Sequence, residues 1–261
     1  MYFFTIGAIF KNESHILQEW INHYFLHGVD HIYLIDDNST DNPIKILKPY
    51  INSNKITLYN APNQSKYVGI QEQLYNTFFQ QHLKDTLWFG ILDLDEFLYS
   101  PLTKNIPDIL KLYFNKQQLE INWVHFGSSN YIKQPKSVVH NFINRAEYNN
   151  SNIGPNGRYN SHKCIIKTYN RGTLNKIILG IHNHIVNGTK SSYNISFKYS
   201  KPQLLINHYA IQSKEYWEKI KMTRGDVNYW YNKQNWKRNI ELFNQLDINT
   251  IEDRRLSDQN S

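Results

Sequence analysis

The sequence predicts an α/β fold built on a largely parallel sheet, and two observations carry that expectation. Strand-like and helix-like segments alternate through the first half of the chain. Two acidic clusters, DDNSTD (36–41) and DLDE (93–96), each follow directly on an apolar, strand-like run. Strands alternating with helices imply βαβ units, whose ligands collect beyond the carboxyl ends of the strands.

The elements follow in order. Residues 2–10, YFFTIGAIF, read as a buried first strand; the run has no basic leader or cleavage site and is too short to cross a bilayer. SHILQEWINHYFLHG then places Ile16, Leu17, Trp20, Ile21, Tyr24 and Phe25 on one helical face, with Ser14 as N-cap and Gly28 just past the C-cap. HIYLI (31–35) is a second strand, DDNSTDN a turn, and Asn42 and Pro43 open a short helix as N-cap and first residue. ITLYN (56–60) is a third strand, 67–83 a helix, and 87–92 a fourth strand. From about residue 119 the pattern changes. LEINWVHFG, HKCIIK, IILGIHNHIV, YNISFKY and QLLINHYAI read as strands between Asn-, Ser- and Gly-rich turns, and KEYWEKIKMTRG and NWKRNIELFNQL as closing helices. Residues 144–160 predict a mobile polar loop, and those after about Thr250 a frayed polar tail. No repeat and no linker divides the chain.

A chain of 261 residues with 40% hydrophobic and 20% charged residues can bury a large core, which excludes global disorder. Aromatics at 15% suit a sugar-handling surface, although an AT-rich genome gives the same bias. The net charge of +7 favours an anionic partner. No Lys/Arg run exceeds two residues and no aromatic–basic interleaving occurs, so a diphosphate is expected rather than nucleic acid. The lone Cys164 excludes an internal disulfide and a Cys-based zinc cluster. No later segment approaches a membrane span, so the expected location is cytoplasmic, with at most peripheral membrane association.

Three carboxylates at the end of the apolar run 87–92 need compensation, because like charges repel and each resists leaving water. A divalent cation, a Lys/Arg cluster or solvent would serve. Asp93 and Asp95, alternate in an extended segment, point the same way and suit Mg²⁺ or Mn²⁺. Asp36 and Asp37 end the second strand, where paired carboxylates hydrogen-bond a ribose or base, or simply form a turn. Glu13 lies at a helix start, where the dipole favours a carboxylate. His208 ends an apolar strand, and Lys219, Lys221 and Arg224 follow on a helix. His suits Mn²⁺ and the cations a diphosphate; a core His and a solvated basic face are the alternative. His182 and His184 fall on one side of a strand without a third zinc ligand.

Together KNE (11–13), EW (19–20), GVDHIYLIDDNSTDN (28–42), LDLDEFLY (92–99), WVHFGSSNY (123–131) and HYAIQSKEYWEKIK (208–221) resemble a GT-A-fold glycosyltransferase, of the group around family 92 and the family-2-like enzymes. The resemblance implies an αβα sandwich with a mixed, mainly parallel central sheet. It implies one domain over 1–250, with a nucleotide-binding half (1–118), an acceptor-side half (119–250) and a tail (251–261). The donor would be a nucleotide sugar, expected to be a UDP-sugar, and the acceptor a hydroxyl of a glycan or glycoconjugate. Asp37 would contact the base with Glu13 nearby, Asp95 would bind Mn²⁺ or Mg²⁺ directly, and Asp93 would contact the ribose or reach the metal through water. His208 would complete the metal site, Lys219 and Arg224 would face the diphosphate, and FGSSNY would line the donor–acceptor junction. The Arg-Gly pair at 224–225 falls slightly further along than the family pattern. Inversion is expected, and Glu96, Glu147 and Asp226 are the carboxylates to weigh as catalytic base. The rival reading is a binding module that keeps the fold without turnover. The missing stem and anchor resemble bacterial or viral members.

Overall fold

A computed structural model of the chain describes residues 1–62, 70–147, 162–196, 201–224 and 238–260. Its first part alternates Tyr2–Phe10 (β1), Ser14–Leu26 (α1), His31–Asp36 (β2), Ile44–Asn52 (α2), Ile56–Asn60 (β3), Ile70–Phe78 (α3) and Thr86–Ile91 (β4), with a 3-10 turn, Gln80–Asp85, before β4. Glu96–Tyr99 (β5), Ile106–Lys111 (α4), Gln118–His125 (β6), Asn144–Arg145 (β7) and His162–Lys167 (β8) follow. Two small hairpins come next, Tyr169–Asn170 (β9) with Thr173–Leu174 (β10), and Ile177–Ile178 (β11) with Ile185–Val186 (β12). After Tyr193–Asn194 (β13) and Leu205–His208 (β14), Lys214–Tyr216 (α5) runs through a π-turn, Trp217–Lys221, into Met222–Arg224 (α6). Ile240–Leu246 (α7), Ile251–Glu252 (β15) and Arg255–Asn260 (α8) close the chain.

The central sheet has the order β3-β2-β1-β4-β8-β6-β14-β5, with β13 also on β6. β1 to β4, β6, β13 and β14 run one way, and β5 and β8 run against them. The sheet is therefore mixed and mostly parallel, and strands from both halves of the chain share it. This polarity brings the ends of β1, β2, β4, β6 and β14 and the starts of β5 and β8 to one edge.

Strands covered on both faces read as unbroken apolar runs. Ile32 and Leu34 of β2 and Phe4, Ile6, Ala8 and Phe10 of β1 pack with α1 on one face. Tyr33, Ile35 and Ile9 pack with α3 and Phe79 on the other. Gly28 follows α1 at φ +88°, as a residue past a C-cap should.

Some boundaries differ from expectation. Glu13, not Ser14, is the residue before α1, because Ser14 gives its N–H to Asp41 Oδ2 (2.8 Å) and enters the helix. α2 starts one residue late, with Asn42 in the left-handed region. IILGIHNHIV is a hairpin: the Gly180 N–H donates to His184 Nδ1 (3.1 Å) and closes a turn inside it. The expected loop and the helices at 67–83 and 235–246 fall partly outside the described residues. The tail is not frayed. β15 pairs with β7, Asp253 accepts Arg145 Nε (2.6 Å), Leu256 is buried, and Asn260 bonds His27 and His23. Its polar residues meet polar partners on the domain, a match no local pattern shows. No helix among the described residues is long and apolar enough to cross a membrane.

Candidate functional site

The acidic turn between β4 and β5 is held from beneath by α1. Trp20 Nε1 donates to the carbonyls of Asp93 (3.0 Å) and Glu96 (3.1 Å). Tyr24 Oη donates to the Glu96 carbonyl (2.8 Å) and accepts the Leu98 N–H (3.0 Å). Glu96 folds back to accept the Asp93 N–H on Oε2 (3.0 Å), and Leu94 enters the core. The neighbouring Glu19 of the same helix accepts N–H groups from Val138 and Val139 and the Ser137 hydroxyl. The EW pair is thus a scaffold for two turns.

Each carboxylate of the turn meets an ammonium. Lys163, at the start of β8, lies 3.0 Å from Asp93 Oδ2 and 3.6 Å from Glu96 Oε1, with its side chain 1% exposed. Burial opposes the charge on Lys163, but Asp93 and Glu96 outweigh it and raise its pKa. Glu96 has no exposure, and burial pushes its carboxyl well above the usual range despite Lys163. Asp93 is the closer partner and keeps 35% exposure. Lys221 Nζ donates to Asp95 Oδ2 (2.7 Å), and His208 Nε2 lies 3.5 Å from Asp95 Oδ1. Burial works against the Asp95 charge, yet Lys221 and His208 hold its carboxyl well below the usual range. His208 reaches this point because β14 pairs antiparallel with β5, in register with Glu96. Beside it stand Trp123 (ring centroids 4.2 Å apart) and His125 (5.3 Å), the latter brought to a pKa of about 3 by burial and then by His208.

The loops after β1 and β2 clasp one another. The Asp37 N–H donates to the Phe10 carbonyl (2.8 Å), the Asn12 N–H to Ser39 Oγ (3.0 Å), and the Thr40 N–H to Asn12 Oδ1 (2.7 Å). Asp37 is buried, with Lys11 Nζ 3.5 Å away, and Glu13 is buried at the head of α1. Asp36 takes the turn-forming role, accepting the Ser39 N–H (2.8 Å). β1 lies between β2 and β4, so the clasp sits one to two strand spacings, about 5–10 Å, from the acidic turn along the sheet edge.

The structure brings Glu13, Asp36, Asp37, Asp93, Asp95 and His208 to that edge. It does not bring Lys219, whose side chain is 71% exposed and whose ammonium pairs with Glu215 (2.7 Å) on the outer face. Lys221, two residues on and so on the opposite side of the turn Trp217–Lys221, points inward instead. The Arg224 side chain and Asp226 lie outside the described residues. Glu96 is sealed beneath the turn, so it cannot meet an acceptor hydroxyl as a base. Glu147 is exposed, one residue past Ala146, whose N–H reaches the His125 carbonyl (3.4 Å). In FGSSNY, Ser128 gives its N–H (2.6 Å) and hydroxyl (2.8 Å) to Asp247. A Cβ on Gly127 would meet Asn249 Oδ1 at 2.3 Å. This turn therefore anchors the C-terminal segment. His182 and His184 bond the carbonyls of His162 and Cys164, which fixes them without zinc.

Lys163 was missed because a Lys near the end of a short strand such as HKCIIK looks like a strand-edge residue; its signal was a charge directly before the apolar run 164–166. Among the described residues no group of three His, Cys, Asp or Glu could by itself hold a metal ion. Asp95 and His208 nevertheless fit a divalent cation that draws its remaining oxygens from phosphate and water, the usual arrangement for one or two carboxylates at a phosphate site.

Residues 3–258 match the profile of glycosyltransferase family 92. The chain belongs to that family. A family-92 protein of Oryza sativa subsp. japonica is 27% identical over 222 residues, covering 83% of this chain and 34% of its own. The galactan β-1,4-galactosyltransferase GALS3 of Arabidopsis thaliana is 24% identical over 134 residues, 49% of this chain and 27% of its own. This family-92 chain thus spans about a third of the length of its rice relative. Among solved structures, S. aureus TarS residues 1–349 aligns with a TM-score of 0.41 and 15% identity, over 63% of this chain and 47% of that one.

Proposed function

We propose that this family-92 chain transfers a sugar from a nucleotide sugar, a UDP-sugar, to a hydroxyl of a glycan or glycoconjugate. The observation that carries the reading is the convergence of Asp93, Asp95, His208 and two buried ammoniums at one sheet edge. Breaking a glycosyl–phosphate bond leaves negative charge on the diphosphate, and fixed cations in a water-poor site stabilise that charge. Lys221 supplies one such cation. Lys163 stays on Asp93 and sets the turn. Asp95 and His208 would hold Mn²⁺ or Mg²⁺, which would supply Lewis-acid neutralisation of the same leaving group. The β1–β2 clasp, with Asp37 and Glu13, would receive the nucleoside. The galactosyltransferase among the relatives supports a hexose donor.

With Glu96 sealed, Glu147 is the described candidate to take the acceptor proton in a single inverting displacement. Glu147→Gln should lower kcat by about a hundredfold or more with UDP affinity intact. The governing experiment is calorimetric titration of UDP with and without Mn²⁺, on wild type and Asp95→Asn, followed by a screen for transfer from UDP-sugars. Mn²⁺-dependent binding lost in the variant, with turnover, supports the transferase. Binding without turnover on any donor favours the binding module, and no binding refutes the site. NMR of the product's anomeric configuration tests inversion; retention would rule out the single displacement.

A further inference from the structure

Both oxygens of Asp95 face cationic or ring-nitrogen partners within the chain itself. Oδ2 accepts from Lys221 at 2.7 Å, and Oδ1 faces His208 Nε2 at 3.5 Å. The Lys221 and Asp95 side chains are both nearly closed to solvent. A buried carboxylate needs a counter-charge, and here an internal one is already in place. A divalent ion on Asp95 would sit against the Lys221 ammonium, and two cations on one buried carboxylate repel. The lysine can move. Its stem is a flexible four-carbon chain leaving a π-turn, and its ammonium lies 5.7 Å from the centroid of the Tyr216 ring. Tyr216 in turn packs on His15 (4.8 Å) at the head of α1, beside the loops that follow β1.

We propose that Lys221 and the divalent cation are alternating partners of Asp95. Without donor, Lys221 holds Asp95 and keeps the bare ion out. When the nucleotide diphosphate arrives with its ion, Asp95 passes to the ion and Lys221 passes to the diphosphate. Ion and nucleotide therefore bind as a coupled pair and the total charge of the site stays balanced. The inference rests on the donor reading above and adds an order of events to it.

The test is Mn²⁺ binding followed by electron paramagnetic resonance in the absence of nucleotide, and UDP binding by calorimetry at saturating Mn²⁺. Wild type, Lys221→Met and the outer-face control Lys219→Met are compared. The exchange predicts that Lys221→Met binds Mn²⁺ alone about tenfold more tightly and UDP about tenfold more weakly, an ordinary size for coupling between two ligands. The control should match wild type. Unchanged or weakened Mn²⁺ binding in Lys221→Met overturns the exchange. Should that variant not fold, the ammonium signal of Lys221 in ¹⁵N-lysine-labelled wild type, assigned by its loss in Lys221→Arg, gives a second readout. It should stay put with Mg²⁺ alone and shift with Mg²⁺ and UDP together; a shift with Mg²⁺ alone, or none with both, overturns the exchange. Failure of wild type to bind UDP with Mn²⁺ removes the donor reading and the exchange with it. Normal binding that ignores Lys221 removes the exchange alone.

Discussion

Replacing Lys163 by Met tests the charge balance beneath the acidic turn. The ammonium lies 3.0 Å from Asp93 and 3.6 Å from Glu96, and the Glu96 side chain has no exposure. Methionine keeps the length and apolar stem and removes only the charge. Breaking a buried ion pair from one side costs about 3–5 kcal/mol, because the abandoned partner stays buried. Two features place this case near the lower end. Asp93 keeps contact with solvent, and Glu96, whose pKa is already raised by burial, escapes by taking up a proton. The expected loss at pH 7 is therefore about 3 kcal/mol, roughly 6–12 °C in Tm for a chain of this size. The sign with pH follows from the same group. A carboxyl whose folded pKa is raised favours the folded state at low pH, and that advantage is lost as pH rises through the folded value. Without Lys163 the folded value rises further, so the deficit against wild type should shrink, by up to about 1.4 kcal/mol per unit, as pH falls from the variant's folded value to the wild type's, which is itself raised well above the usual carboxylate range, and stay constant below that. The assay is urea denaturation of wild type, Lys163→Met, Glu96→Gln and the double variant at several pH values. The double variant should recover at least part of the single loss, since the amide needs no counter-charge and still accepts the Asp93 N–H. A loss under about 1 kcal/mol, or a double variant as unstable as the sum of the singles, would refute the argument that Lys163 compensates Glu96.

Three further outcomes follow from the same structure. Trp20→Phe leaves the Asp93 and Glu96 carbonyls without the indole donor; it should cost about 1–3 kcal/mol in denaturation and weaken UDP binding, and unchanged UDP affinity would separate α1 from the site. His184 is buried and its pKa is lowered to about 4 by burial, so it gives stability that is complete above about pH 6.5 and lost as pH falls from there to about 4. That loss is up to about 3 kcal/mol, and a denaturation series in which His184→Gln follows the same acid profile as wild type would contradict it. Leu256→Ala should cost about 2–5 kcal/mol if the C-terminal segment is docked, whereas an unchanged unfolding midpoint would mean a frayed tail.

Much of the first half was legible because its signals are local. β1, β2, β3 and β4 are apolar runs bounded by turn residues, and periodicity along a helix marks the buried face of α1 from Ile16 to Tyr24. A strand end is visible in a sequence, so the acidic clusters could be assigned to one sheet edge. The second half was harder, since its strands are short, and β5 and β8 run against the rest. Nothing in the runs EFLY or HKCIIK tells the direction in which they lie.

The α/β class, the carboxylates at the strand ends and the family whose ordered motifs they resemble are all readable in the order of residues along the chain. What neutralises those carboxylates emerges from the folded chain alone. Lys163 is 70 residues from Asp93, and Lys221 is 126 from Asp95. Lys219 and Lys221 lie two residues apart and so on opposite sides of the helix, and only the packing of that helix decides that Lys221 is the one turned to Asp95. Charge pairing acts through space over a few ångströms, while a sequence records distance along the chain. The residue types at the site were therefore readable in advance, and their partners were not.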